Sequence, residues 1–96
     1  MTELFEQWAA VVLEYAEVAA GMGQHECALP YVRALTRRDR LNEKAHAQLM
    51  IVLAGSGRQA AALQIYQDLC SRLDDELGLR PGPGLTEAYI TFASSR

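Results

Sequence analysis

The chain has 96 residues, 50% of them hydrophobic, and 9 Lys and Arg against 12 Asp and Glu give a formal net charge of −3. That length and content fit one folded domain, or part of one, with a modest core, and argue against disorder. The acidic balance argues against nucleic acid or an anionic membrane as the main ligand, and no apolar run approaches the roughly 18 residues a membrane span needs.

The first helix is expected from about Glu3 to Met22. Leu4, Trp8, Val11, Tyr15 and Val18 step by fours and threes along one face, and Val12, Ala16 and Ala19 widen the stripe. Gly21 and Gly23 stop it. The second helix is expected from Gln24 to Arg38, with Ala28, Tyr31, Val32 and Leu35 inward and Pro30 near its start, where a missing N–H costs least. Arg37, Arg38 and Arg40 close it and suit the negative end of the helix dipole; they could also meet phosphate or an acidic protein. Asn42 caps a third helix carrying Leu49, Met50, Val52 and Leu53, which ends at "GSG". The fourth runs from Arg58 to Leu77 with Ala62, Ile65, Tyr66, Leu69 and Leu73 inward, and Gly78 ends it with Leu79 folding back. "RPGPG" makes a rigid elbow before a fifth helix from Leu85 to Ala93.

Gly23 and Gly57 lie 34 positions apart, and the same offset pairs Ala28 with Ala62, Val32 with Tyr66, Leu35 with Leu69 and Tyr15 with Leu49. A period of 34 is that of the tetratricopeptide repeat, one helical hairpin per repeat. Glycine permits the tight turn, a small residue lets paired helices approach, and a large residue one turn on fills the space between them. The fold expected is all-α: a TPR-like array of two hairpins over residues 1–96, capped by the fifth helix.

Residues 41–90 carry a more specific pattern. It consists of Leu41 and Glu43; His46, Leu49 and Met50; Gly57, Arg58, Ala62 and Leu63; Tyr66; and Glu76, Leu77, Gly78, Pro81, Gly82, Pro83 and Leu85. This succession resembles the bacterial transcriptional activation domain of SARP-type antibiotic regulatory protein activators, and residues 3–40 look like that domain's upstream hairpin. Members of the family normally carry an N-terminal winged-helix DNA-binding domain. This sequence has no strands, wing hairpin or basic recognition helix, so it is either an excised domain or a free-standing relative, and DNA binding is not expected of it alone. The resemblance implies a protein-interaction and oligomerisation module of a bacterial transcriptional regulator. Its implied partner is RNA polymerase or a neighbouring domain of the same regulator. The alternative is a peptide-binding scaffold of the same repeat type outside transcription.

The concave face of such an array is lined by the first helix of each hairpin. The repeat register puts Leu13 and Glu17 of one hairpin there, with Lys44, Ala47 and Ile51 of the next, mixing apolar and charged groups as a peptide groove does. Arg58 follows the turn glycine, where it contacts a partner at the hairpin tip or bonds local carbonyls. Asp74, Asp75 and Glu76 crowd a helix C-terminus, where negative charge is unfavourable, and form either an acidic contact patch or pairs with Arg72 and Arg80. The breadth of the first helix's apolar stripe makes it a candidate homodimer or domain interface, with Phe5 and Val12 reaching a partner and Trp8 and Tyr15 held in the core. His25, Cys27, His46 and Cys70 lack zinc-type spacing, and no Ser/His/Asp set, phosphate loop or carboxylate pair stands out, so neither metal, cofactor nor enzymatic activity is expected. Two lone cysteines, and acidic residues where a signal peptide would be basic, point to the cytoplasm.

Overall fold

A computed structural model describes residues 2–94, and among them five helices and no strand. They are α1 (Thr2–Gly21), α2 (His25–Arg38), α3 (Glu43–Gly55), α4 (Gln59–Leu77) and α5 (Pro83–Ser94). The two hairpins close with the same hydrogen bonds, 34 residues apart. In the first, the Gln24 amide donates to the Ala19 carbonyl at 2.8 Å and that of Gly23 to Ala20 at 3.1 Å. In the second, Arg58 donates to Leu53 at 2.8 Å and Gly57 to Ala54 at 3.1 Å. Gly23 and Gly57 take φ of 73° and 81°, the left-handed conformation that this double closure of orphan carbonyls demands. The period read from the sequence is therefore a structural repeat.

The local signals act largely as their chemistry requires. The Asn42 side chain accepts from the Ala45 amide at 3.0 Å and starts α3. Gly78, at φ 63°, ends α4, and the Leu79 amide returns to the Leu73 carbonyl at 3.2 Å, while the Leu79 side chain stays exposed. α5 starts two residues before Leu85, at Pro83, whose fixed φ suits a first turn. Pro30 lies inside α2 rather than in its first turn, so the Glu26 carbonyl loses its helical donor; both residues are exposed, and water can replace it.

The helices form two layers, and the fold spans only 18 Å in its thinnest dimension against 42 and 36 Å in the others. α1, α3 and α5 touch in succession as one layer; α2 and α4 form the other and do not meet each other. α3 is the centre, packed on all four of the other helices. Its Leu49, Met50, Val52 and Leu53 are all buried, beside Val32 and Leu35 of α2 and Leu69 and Leu73 of α4 in one core. Ala28 and Ala62, the small residues of the repeat, are both wholly enclosed. α5 covers α3 and α4, with Leu85 buried and Tyr89 stacked on Tyr66 at 4.2 Å between ring centres and 15° between planes.

Candidate interaction surfaces

α1 is rotated from the expected orientation. Its inward face is the small-residue line Ala9, Val12, Ala16 and Ala19. Val12, expected to reach a partner, is 4% exposed and belongs to the core. Tyr15, expected in the core, is 42% exposed, and Leu4, Val11 and Val18 of the same stripe are 69%, 63% and 58% exposed. The reason is steric. Alanine and valine let α1 approach its neighbours closely, and close packing of a narrow stripe wins over the bulkier residues beside it. Phe5 is half-buried and lies against Trp8, ring centres 5.9 Å apart. Trp8 in turn receives the Arg38 guanidinium 5.9 Å from its ring centre. Tyr31, expected to face inward from α2, is exposed and meets Tyr15 edge-on at 5.8 Å.

The repeat explains what this outward stripe is. Advancing Val11, Tyr15 and Val18 by 34 positions gives Ala45, Leu49 and Val52 on α3, all buried. α3 has a helix on both sides, α2 before it and α4 after it, whereas α1 has a hairpin partner only in α2. Among the described residues, the exposed face of α1 is thus the open end of the helical stack. A shallow cavity of about 260 Å³ lies there, bordered by Trp8, Val11, Tyr15 and Tyr31.

Of the expected concave-face residues, Leu13, Ala47 and Ile51 are half-buried and Glu17 and Lys44 exposed; none of the five lines a cavity described here. The Arg58 side chain is exposed and forms no cap, its backbone amide making the turn instead. His25 does a packing job: its ring lies over Gly55, where a Cβ would sit 2.3 Å from it.

Four of the motif residues, Glu43, His46, Glu76 and Gly82, make contacts around the α2–α3 junction. Glu43, in the first turn of α3, accepts from the Gly82 amide and clamps the "RPGPG" elbow. Arg72 donates to the Arg40 carbonyl at 2.8 Å, and Arg40 pairs with Glu76 at 2.9 Å. The partners expected for the acidic run were Arg72 and Arg80; Arg40 takes Glu76 instead, because the α2–α3 loop lies beside the end of α4. His46 is buried and its Nδ1–H donates to the Asn42 carbonyl at 2.7 Å. Burial holds the imidazole below its ordinary range; the Asn42 carbonyl and Asp39 oppose this, and Arg72 adds to it.

That shift sets the sign of a pH effect. The unfolded chain takes up a proton at His46 near pH 6.5, and the folded chain resists it. This part of the stability is therefore present above pH 6.5 and is lost as pH falls through the lower folded value. Melting temperatures are expected to drop between pH about 7.5 and about 5.5, and the drop should be smaller in His46→Gln. An equal drop in both proteins would move its origin elsewhere.

Between α2 and α4, over His46 and Leu49 of α3, runs a groove of about 350 Å³. Arg33, Arg37 and Arg40 of α2 and the following loop face Arg72 of α4 across it. The sequence pointed to Arg37 and Arg40 as cations at the end of α2 and to Arg72 as a partner of the acidic run, but not to Arg33 or to the four together. The spacing of 33 and 37 by four was the available signal, since it places both on one side of α2.

The architecture is that of a two-layer helical-hairpin array with an open end and a charged inter-helix groove. The bacterial transcriptional activator domain model matches residues 1–91, and the chain belongs to that family. It is 40% identical over 82 residues to the regulatory protein AfsR of Streptomyces coelicolor, a match covering 84% of this chain and 8% of that protein. It is 35% identical over 85 residues to the regulatory protein DnrI of Streptomyces peucetius (88% and 31%). It is 30% identical over 86 residues to the transcriptional regulatory protein MoaR1 of Mycobacterium tuberculosis (90% and 28%). The chain thus spans less than a third of the length of these relatives. No solved structure gives a significant match. No helix among the described residues is long and apolar enough to cross a membrane.

Proposed function

We propose that the chain is the protein-interaction and oligomerisation module of a bacterial transcriptional regulator, working through contact with RNA polymerase or with an adjoining regulatory domain. The observation that carries this reading is the outward face of α1. Three large apolar side chains, Val11, Tyr15 and Val18, stand exposed at positions whose repeat equivalents in α3 are buried, with α2 packed on that helix, and Leu4 extends the same exposed face. Such a face is complementary to an amphipathic helix of another domain or a second copy, and burying it is worth about 25 cal/mol per Å². The module holds or positions its partner and carries out no bond-making step of its own.

Sedimentation of the wild type beside Val11→Ser/Val18→Ser tests the self-association part. Both side chains are exposed, so the double variant is expected to keep its melting temperature within about 1 kcal/mol of stability. The wild type should form dimers at micromolar or higher concentration and the variant should not. If the wild type stays monomeric, the face serves a different polypeptide. The same variant in the full regulator should then lower reporter transcription, and unchanged transcription would remove the reading altogether.

A further inference from the structure

The α2–α4 groove differs from the rest of the molecule in charge. The chain as a whole is acidic, yet Arg33, Arg37, Arg40 and Arg72 gather around this one depression. Two of them are already occupied: Arg40 by Glu76, and Arg72 by the Arg40 carbonyl. These bonds fix the Arg72 end of the groove. The Arg33 and Arg37 guanidinium groups, one turn apart on α2, make no hydrogen bond or ion pair among the described residues. Thr36 between them donates its hydroxyl to the Arg33 carbonyl at 2.9 Å, so it does not compete for a ligand.

The floor is not polar throughout. Leu49 and Ile65 lie beside the buried His46. A bare oxyanion would meet the arginines and leave that floor unused. A nucleic-acid backbone would need a basic track longer than this one groove, and the chain carries a net charge of −3. What satisfies both floor and rim is a chain segment with an aliphatic side chain flanked by carboxylates. Arginine forks accept carboxylates two bonds at a time.

We propose that this groove is a docking site for an acidic amphipathic segment of a protein partner, seated with an aliphatic side chain on the half-buried Ile65 and carboxylates on Arg33 and Arg37. The site rests on the reading of the chain as an interaction module, and it is distinct from the apolar face of α1. It gives the module two contacts of different chemistry, so one chain can hold two partners or grip one at two places.

The probe is a fluorescein-labelled peptide of about 15 residues, Leu at every third or fourth position and Glu elsewhere. Its Gln counterpart, pyrophosphate and duplex DNA serve as competitors. The acidic peptide is expected to bind the wild type and the Gln peptide to fail. Arg33→Ala/Arg37→Ala should weaken binding about tenfold while circular dichroism and melting stay as in wild type. Lysine at both positions should recover only part of the loss. Leu4→Ser/Val11→Ser should bind as wild type does. Binding unchanged by the arginine pair would overturn the site, as would displacement by pyrophosphate or DNA at lower concentration than by unlabelled peptide. Loss of binding in the Leu4/Val11 variant alone would put the peptide on α1, ending the groove proposal and leaving the interaction module standing.

Discussion

Replacing Ala62 by Phe is expected to cost about 1–3 kcal/mol or more, a fall of roughly 10 °C in melting temperature for a domain this size. Ala62 has no exposed surface, and it sits in α4 one turn before Tyr66, which is itself stacked under α5. A phenyl ring there has to push α4 away from its neighbours. Gly57→Val should fall in the same range through a different cause. A Cβ at Gly57 meets nothing within 4 Å, so crowding is not the problem. The strain comes from φ of 81°, which a β-branched residue adopts only at about 1–3 kcal/mol. The two variants separate on repair. Gly57→Asn should recover much of the loss, because asparagine tolerates the left-handed region, whereas Ala62→Ser should be mild because the volume is nearly kept. Thermal melts of the four proteins check this, and a wild-type melting temperature for both Ala62→Phe and Gly57→Val would dissolve the 34-residue register.

That register is the part of the fold most legible in the sequence, because it rests on local chemistry. Glycines at 23 and 57, alanines at 28 and 62 and an asparagine cap at 42 act through their own backbones and volumes, whatever surrounds them. The orientation of α1 was not legible in the same way. Its sequence offers two adjacent apolar stripes, one large and one small, and periodicity alone cannot rank them. The choice fell to packing distance, a property of α2 and α3 as much as of α1, and it sent Val12 inward and Tyr15 outward. The arginine groove was half legible. Arg37 and Arg40 drew notice as helix-end cations, but their convergence with Arg72, over thirty residues away, follows from α2 and α4 being held apart across α3. The motif Glu43 and Gly82 likewise have meaning only as a pair, 39 residues apart, closing the elbow.

Leu85→Ala should have the other large effect, about 2–5 kcal/mol, and its distribution along the chain matters more than its size. Leu85 is the buried anchor of α5. Among the described residues the helix is also held by Ala88 and Tyr89 packed against the core, by the Tyr66–Tyr89 stack, worth about 0.5–1.5 kcal/mol, and by the Glu43 clamp on the elbow. Removing the anchor leaves too little to order α5 against its conformational entropy, so the cap should open before the array melts. In a linear array, each repeat feels mainly its neighbour. Hydrogen exchange should therefore quicken in α5 first and in α3 and α4 next, the two helices that α5 touches, while amides of α1 and α2 keep more of their protection. Glu43→Ala should give the same order of events with a smaller change. Equal acceleration in all five helices would show instead that the 96 residues unfold as one cooperative unit. In that case α5 would be an integral layer of the domain rather than a cap, and a partner bound at α1 would be coupled directly to the far end of the fold.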